Sequence, residues 1–292
     1  MNQNIAFIDI GELGWSLYLS AHIRWLKKKN PGTNLLVLTS PDRACLYDEW
    51  AVIQSITDDF YHRYSGQAQH CFGLYDISSQ ELMDFFEKKI PGGYKIPEDF
   101  PFDCHYYSEV FKGELEYAPY PSSISSKVRN RILIFPRHRG HSDGVFSSRN
   151  LPEEFYECLA LDLCEKYSNL IITLIGTASG AYPMSKTIGK NLLNLDNRIG
   201  RVDSLQCLID LCEESVVAIG GTSAPPKITL LQGVPTFIIG HEKKRFVKTE
   251  NWMRTKVGFF EISKDGYNTL DQDKCLKKVE RFVKKKYSTW ST

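Results

Sequence analysis

The stretch VVAIGGTSAPPKITLLQGVPTFIIG, residues 216–240, decides the fold. An apolar run over residues 216–219 leads into a glycine pair and a helical segment over residues 226–232. A second apolar run follows over residues 235–239. Two short apolar strands joined by a helix predict a parallel strand–helix–strand crossover, buried on both faces.

The turn inside this crossover is suited to binding an anion. Pro225 and Pro226 fit a first helical turn, where a missing N–H is not needed, and Gly233 fits a helix end that requires positive φ. The pair Gly220 and Gly221 feeds the helix, whose free N–H groups and positive dipole end suit a phosphate. An ordinary crossover without a ligand would fit this stretch equally well if it stood alone.

The same residues resemble the donor-binding segment of the heptosyltransferase family of glycosyltransferases, roughly D-S-G-P-x-H-L-A-A-x-x-G-x-P-T. Five positions match that pattern: Ser223, Pro225, Gly233, Pro235 and Thr236. Two positions depart from it, because Thr222 stands in place of the Asp and Lys227 in place of the His. The resemblance implies that this turn binds the donor.

Length and composition indicate a globular chain of two ordinary domains. With 292 residues, 42% hydrophobic and 24% charged, the chain is long enough to bury two cores. The net charge of +1 argues against nucleic acid as a partner. No signal peptide or membrane span is recognisable, so we expect a cytoplasmic protein with at most peripheral membrane contact.

The cysteine spacing favours buried free thiols in a reducing compartment over disulfides or a metal site. The eight cysteines are scattered without a C-x-x-C pair, at positions 45, 71, 104, 158, 164, 207, 212 and 275.

The N-terminus is predicted to repeat the strand–turn–helix–strand pattern. Strands are expected over residues 5–10 and 35–39, with a helix over residues 15–29 between them. This opening resembles the N-terminus of the same family, where a G-x-L-G-D turn precedes the first helix and the Asp is taken as the catalytic base. Gly11, Gly14 and Trp15 are therefore expected on the acceptor side. Trp15 occupies the position of that Asp and cannot accept a proton.

The catalytic base must accordingly come from another residue. Glu12 lies in the same turn and is the first candidate, although a solvated turn residue is a nearly equal alternative. Asp103, with His105 in the aromatic segment 99–107, is the second candidate, and a packing role is its alternative. Asp9 ends an apolar strand, where an unpaired carboxylate would be costly, and is expected to be a structural partner.

The middle of the chain carries weaker signals. Helical segments are expected over residues 45–53 and 79–89. Residues 119–127, rich in Pro and Ser, are predicted to be the linker between domains. We place the acceptor-binding domain at residues 1–124 and the nucleotide-sugar-binding domain at residues 125–292.

The second half alternates strands and helices, which predicts a doubly wound parallel sheet. Before the decisive stretch, the expected elements are strands over 131–135, 170–175 and 194–196 and helices over 151–167 and 204–212. This order also resembles the family, including its N-x-P-E-x-F helix start. The final segment, 271–286, is predicted to be a helix with one apolar face and one lysine-rich face, either packed across the domain junction or simply solvated.

A basic loop after the strand 131–135 is a second candidate phosphate site. Loops at the carboxyl ends of parallel strands line the ligand crevice, and guanidinium groups pair with phosphate oxygens in bidentate fashion. We assign this role to Arg137 first and to Arg139 and Arg149 second. The alternative is a solvated positive loop, as is usual for surface arginines. The nearby groups His138, His141 and Asp143 are interpreted as loop residues.

Together these patterns predict two Rossmann-like domains facing one another across a cleft, the B-type glycosyltransferase fold. The resemblance implies inverting transfer of a sugar from a nucleotide-sugar donor to a hydroxyl of a glycan or glycoconjugate. The expected donor-binding residues are Arg137, Arg139, Gly176, Thr177, Gly220, Gly221, Thr222, Ser223 and Lys227.

No cofactor or metal is expected in this reaction, because the only D-x-D-like pairs, at 58–59 and 271–273, resemble solvated turn or helix-start residues. A nucleotide-sugar epimerase of the same architecture, or a binding protein that has lost its base, are the alternatives.

Overall fold

The structure is a computed structural model, and it divides the chain into two compact units, Met1–Ala118 and Pro119–Thr292. The residues that it describes are 3–9, 13–56, 84, 87–97, 115–126, 128–138, 149–201, 204–241, 243–244, 246, 255–262 and 270–289. The boundary expected after residue 124 differs slightly from this division, which leaves residues 119–124 in the second unit.

The first unit contains a parallel sheet whose middle strand is β2. Its elements are β1 (Asn4–Asp9), α1 (Leu13–Lys29), β2 (Asn34–Thr39), a 3-10 helix (Pro41–Leu46) and β3 (Val52–Ser55). The expected helix over residues 45–53 is wrong. A short 3-10 helix begins at Pro41 instead, and Val52 then pairs with Leu36 of β2. Val52 is 61% exposed, so backbone pairing with β2, and not burial of this side chain, makes the segment a strand. Most of the expected helix over 79–89 lies outside the described residues.

The second unit contains a six-stranded, wholly parallel sheet. Its strands are β4 (Arg131–Phe135), β5 (Ile171–Gly176), β6 (Leu195–Ile199), β7 (Ser215–Gly221), β8 (Thr236–Gly240) and β9 (Val257–Glu261). Its helices are α2 (Glu153–Lys166), α3 (Ser185–Ile188), α4 (Leu205–Glu213), α5 (Ala224–Leu231) and α6 (Gln272–Ser288).

The strands of the second sheet lie in the order β6-β5-β4-β7-β8-β9. The chain therefore runs outward in one direction from β4 to β6, returns to the middle at β7, and runs outward the other way. All seven residues of β7 are buried, as are all five of β8, which explains their continuous apolar sequence. The sheet is the doubly wound parallel type that the sequence predicts.

The decisive stretch folds as predicted, with shifted ends. The helix begins two residues earlier than expected, at Ala224, with Pro225 and Pro226 in its first turn. Gly233 follows the helix with φ of 74°, the conformation that its position requires. Neither α3 nor β9 was predicted from the sequence, because α3 has only four residues and β9 follows a region without a strong periodic pattern.

The predicted linker is hydrogen-bonded to the second unit. The Gln232 side chain accepts from the Tyr120 N–H at 2.6 Å and donates to the Tyr120 carbonyl at 2.9 Å. Asp210 of α4 accepts from the Ser122 hydroxyl at 3.0 Å and from the Ser123 N–H at 2.7 Å. These contacts hold residues 120–123 against α4 and the end of α5.

Candidate functional site

The candidate site lies at the carboxyl edge of the second sheet, where the strand order reverses between β4 and β7. These two strands are hydrogen-bonded neighbours, and Phe135 pairs with Gly220. The segments that follow β4 and β7 therefore leave the sheet side by side. Arg137 and Thr222 each lie two residues beyond the pair Phe135–Gly220. In sheets of this order, the crevice at the reversal is where ligands bind.

Arg137 is held in place by the loops that follow β4 and β5. It is 8% exposed, and its Nη1 donates to Oδ1 of Asn150. Its backbone forms an antiparallel bridge with Ala181, and the flanking His138 N–H donates to the Gly180 carbonyl at 2.9 Å. A buried guanidinium fixed in this way is preorganised to bind an anion, because little side-chain entropy remains to be lost.

Tyr182 lies beside the segment that carries Arg137. Its N–H donates to the Pro136 carbonyl at 2.8 Å, and its ring lies 4.4 Å from that of His138. Burial raises the pKa of the Tyr182 phenol and the nearby carboxylates of Glu153 and Glu154 raise it further, whereas the positive charge of Arg137 lowers it. The phenol is therefore a neutral hydrogen-bonding group at physiological pH.

The last part of β7 requires a glycine at one position, and that position is Gly220. A Cβ there would lie 2.8 Å from Cγ of Pro226 and 3.1 Å from Cβ of Phe135, so a side chain would force β4 and α5 apart. At Gly221 a Cβ would meet only ordinary contacts, the nearest being the Arg149 carbonyl oxygen at 3.6 Å. Gly220 and Gly221 were expected to share one role, but only Gly220 is required by packing.

The amino end of α5 presents few backbone donors. Ser223 is the N-cap residue and Ala224 the first residue of the helix. The next two residues, Pro225 and Pro226, carry no N–H. A ligand at this helix end would therefore meet the N–H groups of Ser223 and Ala224 and the positive end of the dipole, which is half of the usual set of donors.

A buried hydroxyl lies directly before this helix. Thr222 is 7% exposed, and its Oγ1 has no hydrogen-bond partner among the residues that the structure describes. Its carbonyl accepts from Nη1 of Arg149 at 3.5 Å, a long contact that joins the polar loop to the turn. Leaving a buried hydroxyl unsatisfied costs about 1–3 kcal/mol, so such a group often bonds a ligand or water.

The remaining donor-side residues occupy the same edge. Gly176 ends β5 and Thr177 follows it on the exposed loop, while Lys227 lies half-buried in the first turns of α5. The structure thus brings the loops that carry Arg137, Thr177 and Thr222 to the carboxyl ends of three neighbouring strands, β5, β4 and β7. Arg139 lies outside the described residues.

In the first unit, the carboxyl end of β1 carries a fully buried carboxylate, Asp9. It accepts hydrogen bonds from Ser16 Oγ at 2.9 Å, Thr39 Oγ1 at 3.2 Å and the Tyr47 hydroxyl at 2.7 Å, and Arg43 Nη1 lies 3.5 Å away. Burial raises the pKa of Asp9, although Arg43 and the three hydrogen bonds oppose that shift. Asp9 is therefore the structural partner that the sequence predicts.

The predicted acceptor-side residues are described only in part. Trp15 is 1% exposed and lies in the core, so its side chain is a packing group. Gly14 is in the first turn of α1, with nothing within 4 Å of the position of a Cβ. Gly11, the third residue of this group, lies outside the described residues, as do the candidate bases Glu12 and Asp103. His105 of the aromatic segment and His141 and Asp143 of the basic loop lie outside them as well.

Asn150 is a site residue that the sequence analysis missed. It fixes Arg137 from the segment that precedes α2. The signal was present, because Asn150 is the Asn of the N-x-P-E-x-F helix start, which was interpreted only as a helix signal.

Within the described part of the chain, no group of three His, Cys, Asp or Glu side chains is arranged to hold a metal ion. In the same residues, no helix has the length and apolar character that crossing a membrane requires.

Solved structures of glycosyltransferases resemble the chain over almost its whole length. Heptosyltransferase II from E. coli, named for ADP-heptose and LPS, has a TM-score of 0.62 and 12% identity, covering 98% of this chain and 99% of its own. A family 9 glycosyl transferase from Veillonella parvula has a TM-score of 0.60 and 10% identity, covering 97% of each chain. E. coli heptosyltransferase WaaC with ADP has a TM-score of 0.59 and 9% identity, covering 96% and 100%.

No protein-family model matches the sequence, and none of the curated proteins matches it either. At such low identities the structural likeness shows the fold alone. The chain has the fold of the heptosyltransferases, the B-type glycosyltransferase fold of two Rossmann-like domains, and the predicted fold class is confirmed.

Proposed function

We propose that this protein transfers a sugar from a nucleotide-sugar donor to a hydroxyl of a glycan or glycoconjugate. One observation carries the proposal: Arg137 and the turn into α5 leave the sheet side by side at the reversal of strand order. A fold hosts many activities, so the residues at this edge, and not the fold, support the assignment.

The donor diphosphate is assigned to the groups that converge at this edge. The Arg137 guanidinium pairs with phosphate oxygens, and the N–H groups of Ser223 and Ala224 donate from the helix end. Thr222 Oγ1 and the Lys227 ammonium supply further donors, while Gly176 and Thr177 border the nucleoside. These groups stabilise the charge that develops on the departing nucleoside diphosphate.

We further propose that the reaction inverts the anomeric carbon and needs no divalent cation. The cationic side chains and the helix dipole take the place of a metal in offsetting the diphosphate charge. Transfer measured with EDTA should proceed at the untreated rate, and NMR of the first product should report the opposite anomeric configuration. Activity abolished by EDTA and restored by manganese would overturn the metal-free assignment.

The base that deprotonates the acceptor is assigned to Glu12. Trp15, which stands in place of the family Asp, is buried and carries no proton acceptor, and Asp9 is engaged by three hydroxyl donors. Glu12→Gln is expected to lower turnover about a hundredfold or more while donor binding is retained. Normal turnover by this variant would show that Glu12 is not the base. Asp103 would then be the next candidate base to replace.

A thermal-shift panel with ADP, GDP, UDP and CDP tests the donor assignment, because a ligand that binds only the folded state raises the apparent stability. ADP is the first choice, since WaaC was solved with it. A positive panel followed by sugar transfer supports the proposal. Stabilisation by nucleotides without any turnover supports the second candidate, a nucleotide-binding protein that lost its base, which the buried Trp15 favours.

A further inference from the structure

The last helix, α6, carries a stripe of cations along one face. Its seventeen residues include seven Lys or Arg and two acidic residues, whereas the whole chain has 36 basic and 35 acidic residues. Six of the cations are exposed: Lys274, Lys277, Lys278, Arg281, Lys284 and Lys285. Their spacings of three, four and seven place them on one side of the helix, over about 17 Å of its length.

The opposite side of α6 is buried in the core of the second unit. Cys275, Val279 and Val283 are each 0% exposed and belong to the main core cluster, and the Phe282 ring packs edge-on against Phe237 at 5.4 Å. The helix therefore has a fixed rotation about its axis. The stripe faces outward as a consequence of packing, and its charges cannot turn inward.

The stripe is not neutralised within the described part of the chain. None of its six cations forms an ion pair there, although Lys278 Nζ lies 5.0 Å from the centroid of the Phe260 ring. Glu280, on the flank of the helix, is bound to Lys166 at 3.2 Å and is unavailable to the stripe. Asp273, exposed in the first turn of α6, is the other acidic residue of this helix. The stripe therefore keeps a net positive charge, which attracts an anionic partner.

We propose that the stripe is a docking surface for the anionic face of a lipid bilayer. A row of cations along one face of a helix can contact a plane of negative headgroups, and each Lys or Arg near such a surface strengthens binding roughly fivefold. The apolar side chains of α6 are buried in the core, so the contact is electrostatic and lies at the headgroup level without insertion. A single-stranded nucleic acid is disfavoured, because the aromatic rings of α6 pack inward and none interleaves with the cations.

Co-sedimentation with vesicles tests this surface independently of the proposed function. The full chain is expected to bind vesicles containing about one-third phosphatidylglycerol and not to bind vesicles of pure phosphatidylcholine. Added salt is expected to release the bound protein. Reversal of three stripe charges, Lys277→Glu, Arg281→Glu and Lys284→Glu, is expected to weaken binding roughly a hundredfold or more.

The matched control reverses three exposed lysines elsewhere, Lys88→Glu, Lys190→Glu and Lys244→Glu, which changes the net charge equally. Circular dichroism establishes that both variants are folded. The control is expected to bind within about threefold of wild type. Equal weakening in both variants, no binding by the wild type at low salt, or binding to a nucleic-acid duplex in place of anionic vesicles would each overturn the proposal.

Discussion

At the scale of single residues, Asp9 connects four elements of the first unit. Its carboxylate ends β1, and its partners Ser16, Thr39 and Tyr47 belong to α1, to β2 and to the turn after the 3-10 helix. A buried carboxylate without such donors would be costly. The strand therefore tolerates a charged residue because the surrounding hydroxyl groups and Arg43 compensate for the lost water.

This residue has a consequence for stability that depends on pH. The pKa of Asp9 is raised above the value of about 3.9 found in unfolded chains, so the folded state holds the proton more tightly. The contribution of this proton binding to the free energy of unfolding is complete below the pKa of the unfolded chain. It is lost as the pH rises through the pKa of the folded state. The stability advantage of wild type over Asp9→Asn is therefore expected to be largest near pH 4 and to shrink toward pH 7.

Urea unfolding of wild type and Asp9→Asn over this pH range measures the difference, which changes by about 1.4 kcal/mol for each unit of raised pKa. Asp42→Asn, an exposed carboxylate of the same unit, is the control. A difference that stays constant or grows with pH would show that burial does not raise the pKa of Asp9.

At the scale of elements, the prolines of α5 set how many donors its amino end offers. Pro225 removes the N–H at the second helical position, so Pro225→Ala adds a donor where the diphosphate is proposed to bind. We expect nucleoside diphosphates to bind more tightly by about 0.5–1.5 kcal/mol, the contribution of a neutral hydrogen bond. Thermal stability is expected to fall slightly, because the unfolded chain gains freedom.

Calorimetric titration with nucleoside diphosphates measures this affinity. Pro91→Ala, which changes an exposed proline of the first unit, is the control and should bind as wild type does. Unchanged affinity in Pro225→Ala would mean that the helix end does not face the phosphates.

The segment 119–126 is held to α4 by the Asp210 carboxylate and by the Gln206 amide, which donates to the Pro121 carbonyl at 3.0 Å. Burial alone would raise the pKa of Asp210, but hydrogen bonds from Ser123, Gln206 and Ser122 outweigh it and the pKa is lowered. These hydrogen bonds therefore stabilise the folded state at pH values above the ordinary pKa of an aspartate. This stabilisation is lost as the pH falls through the lowered pKa of Asp210. Asp210→Ala is expected to speed amide hydrogen exchange at residues 120–126 severalfold at neutral pH.

Mass-spectrometric exchange measures this effect, with Asp162→Ala as control, since Asp162 pairs with Lys166 on the unrelated helix α2. Exchange unchanged in Asp210→Ala would show that Gln206 and Gln232, which bond the backbone of Pro121 and Tyr120, hold the segment without Asp210.

At the scale of the whole molecule, the second unit was largely predictable from sequence. Continuous apolar runs and helix caps identify buried parallel strands and their crossovers, and Gly233 and the two prolines fixed one helix within two residues. The first unit was less predictable, because residues 41–55 hold a 3-10 helix and a half-exposed strand whose pairing with β2 is a tertiary effect.

Site residues could be predicted only where they directly follow a predicted strand or begin a predicted helix. Arg137 follows a strand directly, and a doubly wound order brings it beside the turn at Thr222. The hydrogen bond that Arg137 donates to Asn150 and the clash that requires Gly220 both depend on packing between separate segments. The N-x-P-E-x-F pattern identifies Asn150 as a helix-start residue, but it does not specify which side chain Asn150 binds.

The central claim is that the second unit binds a nucleoside diphosphate through Arg137. Isothermal titration with ADP, GDP, UDP and CDP is expected to show binding of at least one of them to wild type and weakening of about 1.5–3 kcal/mol in Arg137→Ala. Arg137→Lys, which keeps the charge but loses the bidentate geometry, is expected to lie between the two. Arg281→Ala, on the outer face of α6, should bind as wild type does. Full affinity in a folded Arg137→Ala, or no binding of any of the four nucleotides to wild type, would contradict the claim.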